Sequence, residues 1–596
     1  MRHTYPASRA SACHSPSPHW WLSFSALYDI VKKSPQDPTS TPTDPTPENP
    51  QRRRLLGGMA LAGGALAIGP AQARTDTAQH TPKRALSATA VDRQLQEKIQ
   101  HVVVIYAENR SFNNLFPDFP GLQHPLSQVT PAQARQVDRD GNVLDILPPI
   151  WGGLAPNEQV VEHRRYKIGE DAIGPLPNAP YPLRTADGKP LPHGVVTRDL
   201  VHRFYENQMQ INGGRNDRFA AWSDAGGLVM GHYGDAPATL RLWSLAREYT
   251  LCDNFFMGAF GGSFLNHQYL VAAQAPYYPN ADNSPARLQI SKLASDRPDE
   301  IHLAEQEDSP ASALNGKPRF VRSGALTPDF WAINTMSPPF QPSTSQDPTR
   351  RDYAAADSPN TLPPQTHRHI GDALDAKGVE WAWYAGGWGL AVQGKGDTGD
   401  TSEFPTSPNF QIHHQPFNYF ANLAPGTPAR AQRLRDGGLG DSAPDNRFLA
   451  DVQAGTLPPV TFYKPQGNLN MHAGYSDVAA GDRHIAMVID ALRKSPLWEK
   501  TAVFITFDEN GGWWDHVAPP KADRWGPGSR IPALVVSPYA KRGHVDHTVY
   551  DTGSILRFIT RRFGLEKLPG LAERERTMHA ASGVVPGDLT AALDLG

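Results

Sequence analysis

The stretch that decides the fold is His101-Val-Val-Val-Ile-Tyr-Ala-Glu-Asn-Arg-Ser-Phe-Asn-Asn-Leu-Phe116, in which a β-branched apolar run gives way to a carboxylate, an amide and a hydroxyl. A run of Val and Ile without polar alternation is typical of a strand covered on both faces, as in a parallel sheet between helices. Ligands of such sheets bind beyond the carboxyl ends of the strands, so we expect Glu108 and Asn109 to project into a crevice there. By itself, this one strand end equally fits an ordinary solvated turn.

The same arrangement recurs in the second half of the chain. Thr501-Ala-Val-Phe-Ile-Thr-Phe-Asp-Glu-Asn-Gly-Gly-Trp-Trp-Asp-His516 is again an apolar run that ends in carboxylates. Oxygen ligands from separate strand ends are the usual way to hold a hard divalent cation, and isolated buried carboxylates are costly. The two runs therefore predict a metal site whose ligands are Glu108, Asn109, Asp508 and Glu509.

The composition indicates a large globular α/β protein. The chain has 596 residues, of which 39% are hydrophobic and 20% charged, so it can bury a large core. Apolar runs alternate with helical patterns, which predicts a mostly parallel central sheet with helices on both faces. The 56 prolines and 51 glycines predict long loop insertions. With 57 basic and 60 acidic residues the formal charge is -3, so we expect no nucleic-acid partner.

The N-terminal region has the pattern of an exported precursor. Residues 1–50 are rich in Ser, Pro and Thr and are predicted to form a disordered extension. Residues 51–73 carry Arg52-Arg53-Arg54, a weakly apolar run and a final Ala-Gln-Ala, which together predict a twin-arginine signal peptide. The apolar run is too short for a stable membrane span. We therefore expect a periplasmic or secreted protein, with residues 74–98 as a linker and 99–596 as the main folded domain.

The two cysteines predict no disulfide within the mature chain. Cleavage after Ala73 would remove Cys13 and leave Cys252 alone. The sequence around Cys252 reads as a buried strand, in which cysteine packs as a small hydrophobe rather than acting as a nucleophile.

A second polar feature is the Gly261-Gly262 pair followed by Ser263 and a helical pattern. A serine at a helix start lies at the positive end of the helix, which favours an alkoxide and binds phosphate oxygens. The alternative is an ordinary helix cap, since Ser is a preferred capping residue. Asn266 and His267, one turn further on, could point back at the same place.

Several histidines precede or follow these motifs. His202 lies in a predicted helix over Thr197–Ile211, with Thr197 or Asp199 as its cap, and His413-His414 lies in an aromatic loop. Taken singly, histidines at such positions are more often packing or surface residues than ligands.

Four motifs in this order resemble one family of bacterial phosphoesterases. They are Glu108-Asn-Arg-Ser-Phe112, Gly261-Gly-Ser-Phe-Leu-Asn266, His472-Ala-Gly-Tyr-Ser-Asp477 and the segment from Asp508 to His516, with Arg530-Ile-Pro-Ala-Leu-Val-Val-Ser-Pro-Tyr-Ala540 as further support. The family joins the phospholipases C to acid phosphatase A within the alkaline phosphatase superfamily, and the likeness extends over about residues 100–565. The segment from His202 to Tyr233 and the His413-His414 pair look closer to acid phosphatase A.

The resemblance implies an alkaline-phosphatase-like fold and a metal-dependent hydrolase of phosphate esters. It implies Ser263 as the nucleophile and a divalent metal ion of unknown identity held by Glu108, Asn109, Asp508 and Glu509. It also implies phosphate contacts from one amide and three imidazoles, Asn109, His202, His414 and His472, and catalytic roles for the three histidines. Asp515 and His516 fit the family pattern, with a role that could be orientation of the carboxylates.

Acid phosphatase and phospholipase C remain as alternatives at this point. A phosphomonoesterase would act on phosphorylated small molecules at acidic pH, where imidazolium rings with an ordinary pKa near about 6.5 are protonated. A phospholipase C would act on phospholipids, and recognition of choline needs an aromatic cage. A non-catalytic protein of the same fold is disfavoured because Ser263 and every oxygen ligand are present.

Overall fold

A computed structural model describes residues 88–234, 239–296, 300–395 and 408–596. The predicted extension over 1–50 and the predicted signal peptide over 51–73 lie outside these ranges. The predicted linker is described from residue 88 onward, and that part of it is helical. In the described part of the chain, every helix is too short or too polar to cross a membrane.

The strands and helices are numbered in chain order. The strands are β1 (His101–Ala107), β2 (Ala155–Val161), β3 (Arg164–Ile168), β4 (Tyr181–Pro182), β5 (Gly231–His232), β6 (Thr250–Cys252), β7 (Phe255–Phe256), β8 (Trp381–Gly386), β9 (Leu434–Gly438), β10 (Val460–Lys464), β11 (Thr501–Phe507), β12 (Ala533–Val536), β13 (His544–Asp546) and β14 (Tyr550–Asp551). The helices are α1 (Ala88–Lys98), α2 (Phe112–Leu115), α3 (Pro131–Ala134), α4 (Phe204–Ile211), α5 (Arg241–Glu248), α6 (Ser263–Ala272), α7 (Ile370–Asp375), α8 (Trp388–Val392), α9 (Pro428–Arg433), α10 (Arg447–Ala454), α11 (Val478–Lys494), α12 (Gly553–Phe563) and α13 (Pro569–Ser582).

The main sheet has eight strands in the order β13-β6-β12-β11-β1-β10-β8-β9. Strand β12 runs antiparallel to both of its neighbours, β11 and β6. The other pairs in the sheet are parallel. The predicted mostly parallel α/β sheet is therefore confirmed, with β1 and β11 as neighbours near its centre.

Both faces of this sheet are covered. All seven residues of β11 are buried, as are the last six of β1, which a strand with one solvated face would not show. The helices form two groups, and the contacts are between helices of the same group. One group consists of α5, α10 and α11, and the other of α1, α6, α12 and α13. These observations confirm helices on both faces, and the irregular segments between β5 and β8 confirm long insertions.

Helix α1 corrects the linker prediction over residues 88–98. It contacts α12, and Leu95 is fully buried. The apolar residues of this short amphipathic helix pack against the domain, so α1 is part of it. The polar residues around them made the segment look like a linker in the sequence. Cys252 is a free, buried residue of β6, which agrees with its prediction as a packing residue.

The predicted helix over Thr197–Ile211 begins later than expected. Helix α4 starts at Phe204, with Arg203 as its N-cap residue, so neither Thr197 nor Asp199 caps it. The preceding segment is held extended because the backbone N–H of Val201 donates to Asp224 Oδ1 at 2.8 Å. His202 is therefore on a loop rather than in a helical turn, which frees its ring to reach the strand ends.

We expect acid to destabilise the fold partly through His367. Burial lowers the pKa of His367 to about 4, and its Nε2 is buried without a hydrogen-bond partner. Between about pH 6.5 and 4 the unfolded chain binds this proton and the folded chain does not, so stability falls as pH falls, by about 2 kcal/mol at pH 4.5. His367→Phe should reduce the loss of Tm between about pH 7 and 4.5, measured by thermal unfolding.

His579→Phe, on the exposed surface of α13, is the matched control and should keep the pH dependence of the wild type. An unchanged pH dependence in His367→Phe would contradict the assignment.

Candidate active site at the carboxyl edge of the sheet

The predicted strand ends meet at one edge of the sheet. Glu108 and Asn109 follow β1, Asp508 follows β11, and the backbone N–H of Asn109 donates to Asp508 Oδ1 at 3.0 Å. Asn109 has a φ of 61°, a left-handed conformation that Asn tolerates better than most residues. A Cβ added at Gly511 would lie 2.4 Å from the carbonyl oxygen of Asn109, so this close approach requires glycine.

Ser263 is the first residue of α6, and its hydroxyl does not cap the helix. The N-cap residue is Gly262, which makes no side-chain capping bond. The Ser263 Oγ instead donates to Asn109 Oδ1 at 3.3 Å, and the residue is 5% exposed. The capping alternative is therefore wrong, and the hydroxyl faces the strand ends at the positive end of a helix.

A cavity of about 290 Å³ opens in front of Ser263. Side chains from several separate segments line it, among them Asp199, His202, Ser263, His413, His472 and Tyr475. Loops at the carboxyl edge of a doubly covered sheet are where ligand sites are found, because the strands hold them in fixed positions.

His202 and His472 present the same ring atom to Asn109. Their Nε2 atoms lie 3.5 Å and 2.9 Å from Asn109 Nδ2. Each Nδ1 contacts a backbone carbonyl, that of Leu200 at 2.6 Å for His202 and that of Ala473 for His472. Backbone contacts at Nδ1 fix the ring orientation, so both Nε2 atoms are directed at the space beside Asn109.

The pKa values of these two rings are shifted in opposite directions. Burial lowers the pKa of His202, but the carboxylates of Glu509 and Asp199 outweigh it and raise the pKa to about 9. Burial lowers the pKa of His472. The sequence-based expectation of similar imidazoles near an ordinary pKa therefore fails, because each ring has its own combination of desolvation and neighbouring charge.

The structure places His413, rather than His414, on the cavity wall. His413 is 7% exposed, and neither of its ring nitrogens has a hydrogen-bond partner. His414 is fully buried, its Nε2 lies 2.6 Å from Glu108 Oε1, and burial lowers its pKa to about 4. The prediction that His414 contacts phosphate directly is therefore corrected. The His414 ring contacts Glu108 instead, because adjacent residues of a turn point in different directions.

Glu108 lies in a set of contacts that the sequence did not indicate. Lys464 Nζ lies 2.5 Å from Glu108 Oε1, and the Tyr475 hydroxyl donates to Glu108 Oε2 at 2.8 Å. The lysine contact is an ion pair by distance rather than an aligned hydrogen bond. Burial favours the neutral carboxyl, but His414 and Lys464 hold the pKa of Glu108 well below its usual range.

The remaining carboxylates have unused oxygens. Asp508 Oδ2 and Glu509 Oε1 are buried without hydrogen-bond partners, as is His267 Nε2. Burial, reinforced by the charge of Glu108, raises the pKa of Asp508 to about 7, and burial also raises that of Glu509. Buried carboxylates need a compensating positive charge, and a bound cation supplies it.

The donor atoms are close enough for a divalent ion. Ligand atoms of Glu108, His267 and Asp508 all lie within 4.8 Å of one another. The predicted ligands Asn109 and Glu509 adjoin this group, since Asn109 and Glu509 both bond to Asp508 Oδ1 through their backbone N–H groups. The residues present therefore fit a divalent metal ion, and the particular ligand set stays a prediction.

Asp515 and His516 brace the loops around the site. Asp515 Oδ1 lies 3.1 Å from Arg530 Nε, and Asp515 Oδ2 accepts from the backbone N–H of Asn113 at 3.0 Å. His516 Nδ1 contacts Asn113 Oδ1 at 3.0 Å. These buried contacts tie the segment after β11 to the segment after β1, an orienting role of the kind expected for supporting residues.

Sequence reasoning missed His413, Lys464 and Tyr475 as site residues. Lys464 had a signal: it is a lysine at the end of an apolar run, where the buried carboxylates of the other runs also lie. Tyr475 lies inside a motif that was recognised for His472 alone. The direction of His413 depends on the loop conformation, which no sequence pattern specified.

Known proteins resemble this chain over most of the described domain. The family model described as "Phosphoesterase family" matches residues 99–566. A phospholipase C A from Mycobacterium tuberculosis is 24% identical over 529 residues, covering 83% of this chain and 77% of that protein. A non-hemolytic phospholipase C from Pseudomonas aeruginosa is 32% identical over 176 residues, with 24% of each chain covered. A further one from Burkholderia pseudomallei is 30% identical, covering 37% of this chain and 35% of that protein.

The matched region thus spans well under half of the second and third of these relatives. Among solved structures, an alkaline phosphatase superfamily protein from Vibrio parahaemolyticus is 12% identical with a TM-score of 0.29, covering 61% of this chain and 65% of that chain. A lipoteichoic acid synthase from Listeria monocytogenes is 9% identical with a TM-score of 0.25, covering 65% and 73%.

Proposed function

This chain belongs to the phosphoesterase family, and from that premise we propose that it is a metal-dependent hydrolase of phosphate monoesters with Ser263 as its nucleophile. Family membership and the phospholipase C relatives support hydrolysis of phosphate esters in general. The finer choice of monoesters depends on the shape and lining of the cavity.

The observation that carries the proposal is the position of the Ser263 hydroxyl. It lies in the cavity at the start of α6 and donates to Asn109, whose backbone N–H in turn donates to Asp508. A serine needs help to act as a nucleophile, and a helix N-terminus with a cation site next to it supplies that help. Phosphoryl transfer depends mainly on such positioning and on positive charge around the equatorial oxygens.

The residues suggest a two-step reaction. Asn109 Oδ1 orients the Ser263 hydroxyl, which loses its proton to water as its oxygen forms a bond to phosphorus and the bond from phosphorus to the leaving oxygen breaks. His202 Nε2 can contact an equatorial oxygen or donate a proton to the leaving oxygen, and the raised pKa of His202 keeps that proton available. Water then cleaves the bond between phosphorus and the serine oxygen and releases phosphate.

A divalent ion, bound by the predicted set Glu108, Asn109, Asp508 and Glu509 with His267 nearby, would supply positive charge for the phosphate oxygens and for the developing serine alkoxide. The chain's own contribution is to hold these oxygens in a dry, fixed arrangement, which the contacts between Asn109 and Asp508 accomplish.

Monoesters are favoured over choline diesters by the cavity lining. Phe264 and Tyr475 are the aromatic residues among the described residues that line it. The Tyr475 ring is stacked on His472 with centroids 4.2 Å apart, and its hydroxyl is bonded to Glu108. A quaternary ammonium is recognised by several open aromatic faces, and the described wall of this cavity does not offer that cage.

Phospholipase C activity is the second candidate, supported by the names of the matched relatives. The deciding experiment measures kcat/KM for p-nitrophenyl phosphate and p-nitrophenylphosphorylcholine between about pH 4 and 9, after chelation and metal add-back. We expect the monoester to be preferred, and its hydrolysis to persist through neutral pH because the pKa of His202 is raised to about 9. A preference for the choline diester throughout this pH range would favour the second candidate.

We also propose export of the mature chain, supported by the arginine cluster and the Ala-Gln-Ala sequence before residue 74. Replacing Arg53 and Arg54 by lysine should retain the protein in the cytoplasm, as measured by cell fractionation. Unchanged export would contradict the twin-arginine route.

A further inference from the structure

A second cavity, of about 510 Å³, adjoins the cavity in front of Ser263. The two cavities share three lining residues, Asp199, His202 and Arg203, whereas Ser263 lines only the smaller one. Ligand cavities in proteins usually have volumes of about 300–1,000 Å³. The larger cavity therefore has room for an organic group directly beside the place of reaction.

The amide of Asn109 indicates which part of the substrate would enter the larger cavity. Its Oδ1 accepts from the Ser263 hydroxyl at 3.3 Å, and its Nδ2 lies 3.5 Å from His202 Nε2. Phosphoryl transfer places the nucleophile and the leaving oxygen roughly in line, on opposite sides of phosphorus. With Ser263 as the nucleophile, the leaving group therefore points away from Ser263, toward His202 and the larger cavity that His202 also lines.

The wall that residues 196–203 contribute to the larger cavity is held at two points. The backbone N–H of Arg198 donates to the carbonyl of Leu154, directly before β2, at 2.8 Å. The backbone N–H of Gly474, in the segment after β10, donates to the carbonyl of Thr197 at 2.8 Å. A site that is formed before its ligand arrives loses little conformational entropy on binding, which favours specific recognition.

Two polar side chains of this cavity are available to a ligand. The carboxylate of Asp199 is 48% exposed, and its Oδ1 lies 3.6 Å from His202 Nδ1, which is longer than a hydrogen bond. Asn157 is an exposed residue of β2, and its carboxamide has no hydrogen-bond partner among the described residues. A carboxylate accepts hydrogen bonds from hydroxyl groups, and a carboxamide both donates to them and accepts from them.

The charges around the larger cavity favour a neutral ligand. A cationic leaving group would meet the guanidinium groups of Arg198 and Arg203 and the ring of His202. An anionic leaving group would meet the carboxylates of Asp199 and Asp224. A lining with charges of both signs disfavours either kind of ion and suits a neutral group that donates and accepts hydrogen bonds, as a hydroxyl does.

We propose that the larger cavity is the leaving-group subsite and that it selects monophosphates of sugars and polyols, with Asp199 and Asn157 as the residues that recognise the hydroxyl groups. The proposal deepens the proposed function and rests on it for turnover. Hydrolysis would consume one water and release inorganic phosphate and the free sugar or polyol.

The test compares glucose 6-phosphate with cyclohexylmethyl phosphate, a monoester of similar shape without the hydroxyl groups. In the wild type, kcat/KM should be at least about tenfold higher for glucose 6-phosphate, because the analogue leaves the polar groups of the subsite unpaired. Asp199→Leu and Asn157→Leu should each lower this ratio at least about fivefold. Since the ratio compares two substrates on one protein, any effect of Asp199→Leu on the His202 ring cancels.

The matched control is Asp490→Leu, on α11. The Asp490 side chain is 44% exposed, and its Oδ2 is likewise 3.6 Å from a basic group, Arg241 Nη2, but Asp490 lines neither cavity. This variant should keep the ratio of the wild type. A wild-type ratio below about tenfold, or a ratio that Asp199→Leu or Asn157→Leu leaves unchanged, would overturn the proposal.

Binding to Ser263→Ala, measured by isothermal titration calorimetry, separates this inference from the proposed function. Glucose 6-phosphate should bind at least about tenfold more tightly than cyclohexylmethyl phosphate, and adding Asn157→Leu should reduce the difference. An inactive wild type whose Ser263→Ala variant shows this difference would contradict the proposed function and leave the inference standing. Equal Kd values beside normal phosphatase activity would overturn the inference and leave the proposed function standing.

Discussion

Ser263→Ala is expected to lower kcat for p-nitrophenyl phosphate by on the order of 10³-fold or more while the fold stays intact. The reason is that the Ser263 hydroxyl lies at the N-terminus of a helix, donates a hydrogen bond to Asn109 and lines the cavity. The substitution should cost little stability, because Ser263 makes no capping bond that alanine would remove. Steady-state kinetics and thermal unfolding measure the two effects.

A matched control is Ser284→Ala. Ser284 also stands at a helical turn, but its hydroxyl accepts from the backbone N–H of Ala286 and so has a capping role. This variant should lose a little stability, about 1 kcal/mol, and keep its activity. If Ser263→Ala kept more than about a tenth of kcat, a loss of under ~1.4 kcal/mol in transition-state stabilisation, Ser263 would not be the nucleophile.

Asp508→Asn is expected to lose bound metal and at least about 100-fold of kcat together, equivalent to about 2.7 kcal/mol. The carboxylate follows β11, is fully buried, and has one oxygen without a hydrogen-bond partner. An amide of the same shape removes the charge that would bind a cation while keeping the size of the side chain. Elemental analysis of the purified variant, beside the activity assay, measures both losses.

Asp253→Asn is the control for a buried carboxylate at a strand end. Asp253 follows β6 and is equally buried, but its oxygens are satisfied by the backbone N–H of Gln123 at 2.7 Å and by His547 Nδ1. It should keep metal content and activity near the wild type. If active wild-type protein held no stoichiometric divalent metal and was insensitive to chelators, the metal assignment would be wrong.

The pH dependence of activity follows from two opposing influences on the imidazoles. His202 keeps its proton up to about pH 9 because carboxylates surround it, while burial lowers the pKa of His472. The acidic preference predicted from ordinary histidines therefore needs a source other than His202, and the pH profile of kcat/KM tests it.

Local sequence patterns predicted the parts of the fold that depend on neighbours along the chain. The apolar runs of β1 and β11 identified buried parallel strands, and the polar residues after them identified the edge that carries the site. The Gly-Gly-Ser sequence located the start of α6 correctly. Predictions failed where a segment leaves regular structure, as at His202, because an extended loop held by Asp224 replaces the expected helical turn.

The sequence by itself determined the sheet, the strand ends and the residue types gathered there, because burial and periodicity are properties of short segments. Only the tertiary structure decided which side chains meet. It directs His413 at the cavity and His414 at Glu108, and it brings Lys464 from β10 to within 2.5 Å of the carboxylate that follows β1. Those contacts depend on the parallel pairing of strands more than 350 residues apart, which pairs Ile105 with Tyr463 and which no local pattern encodes.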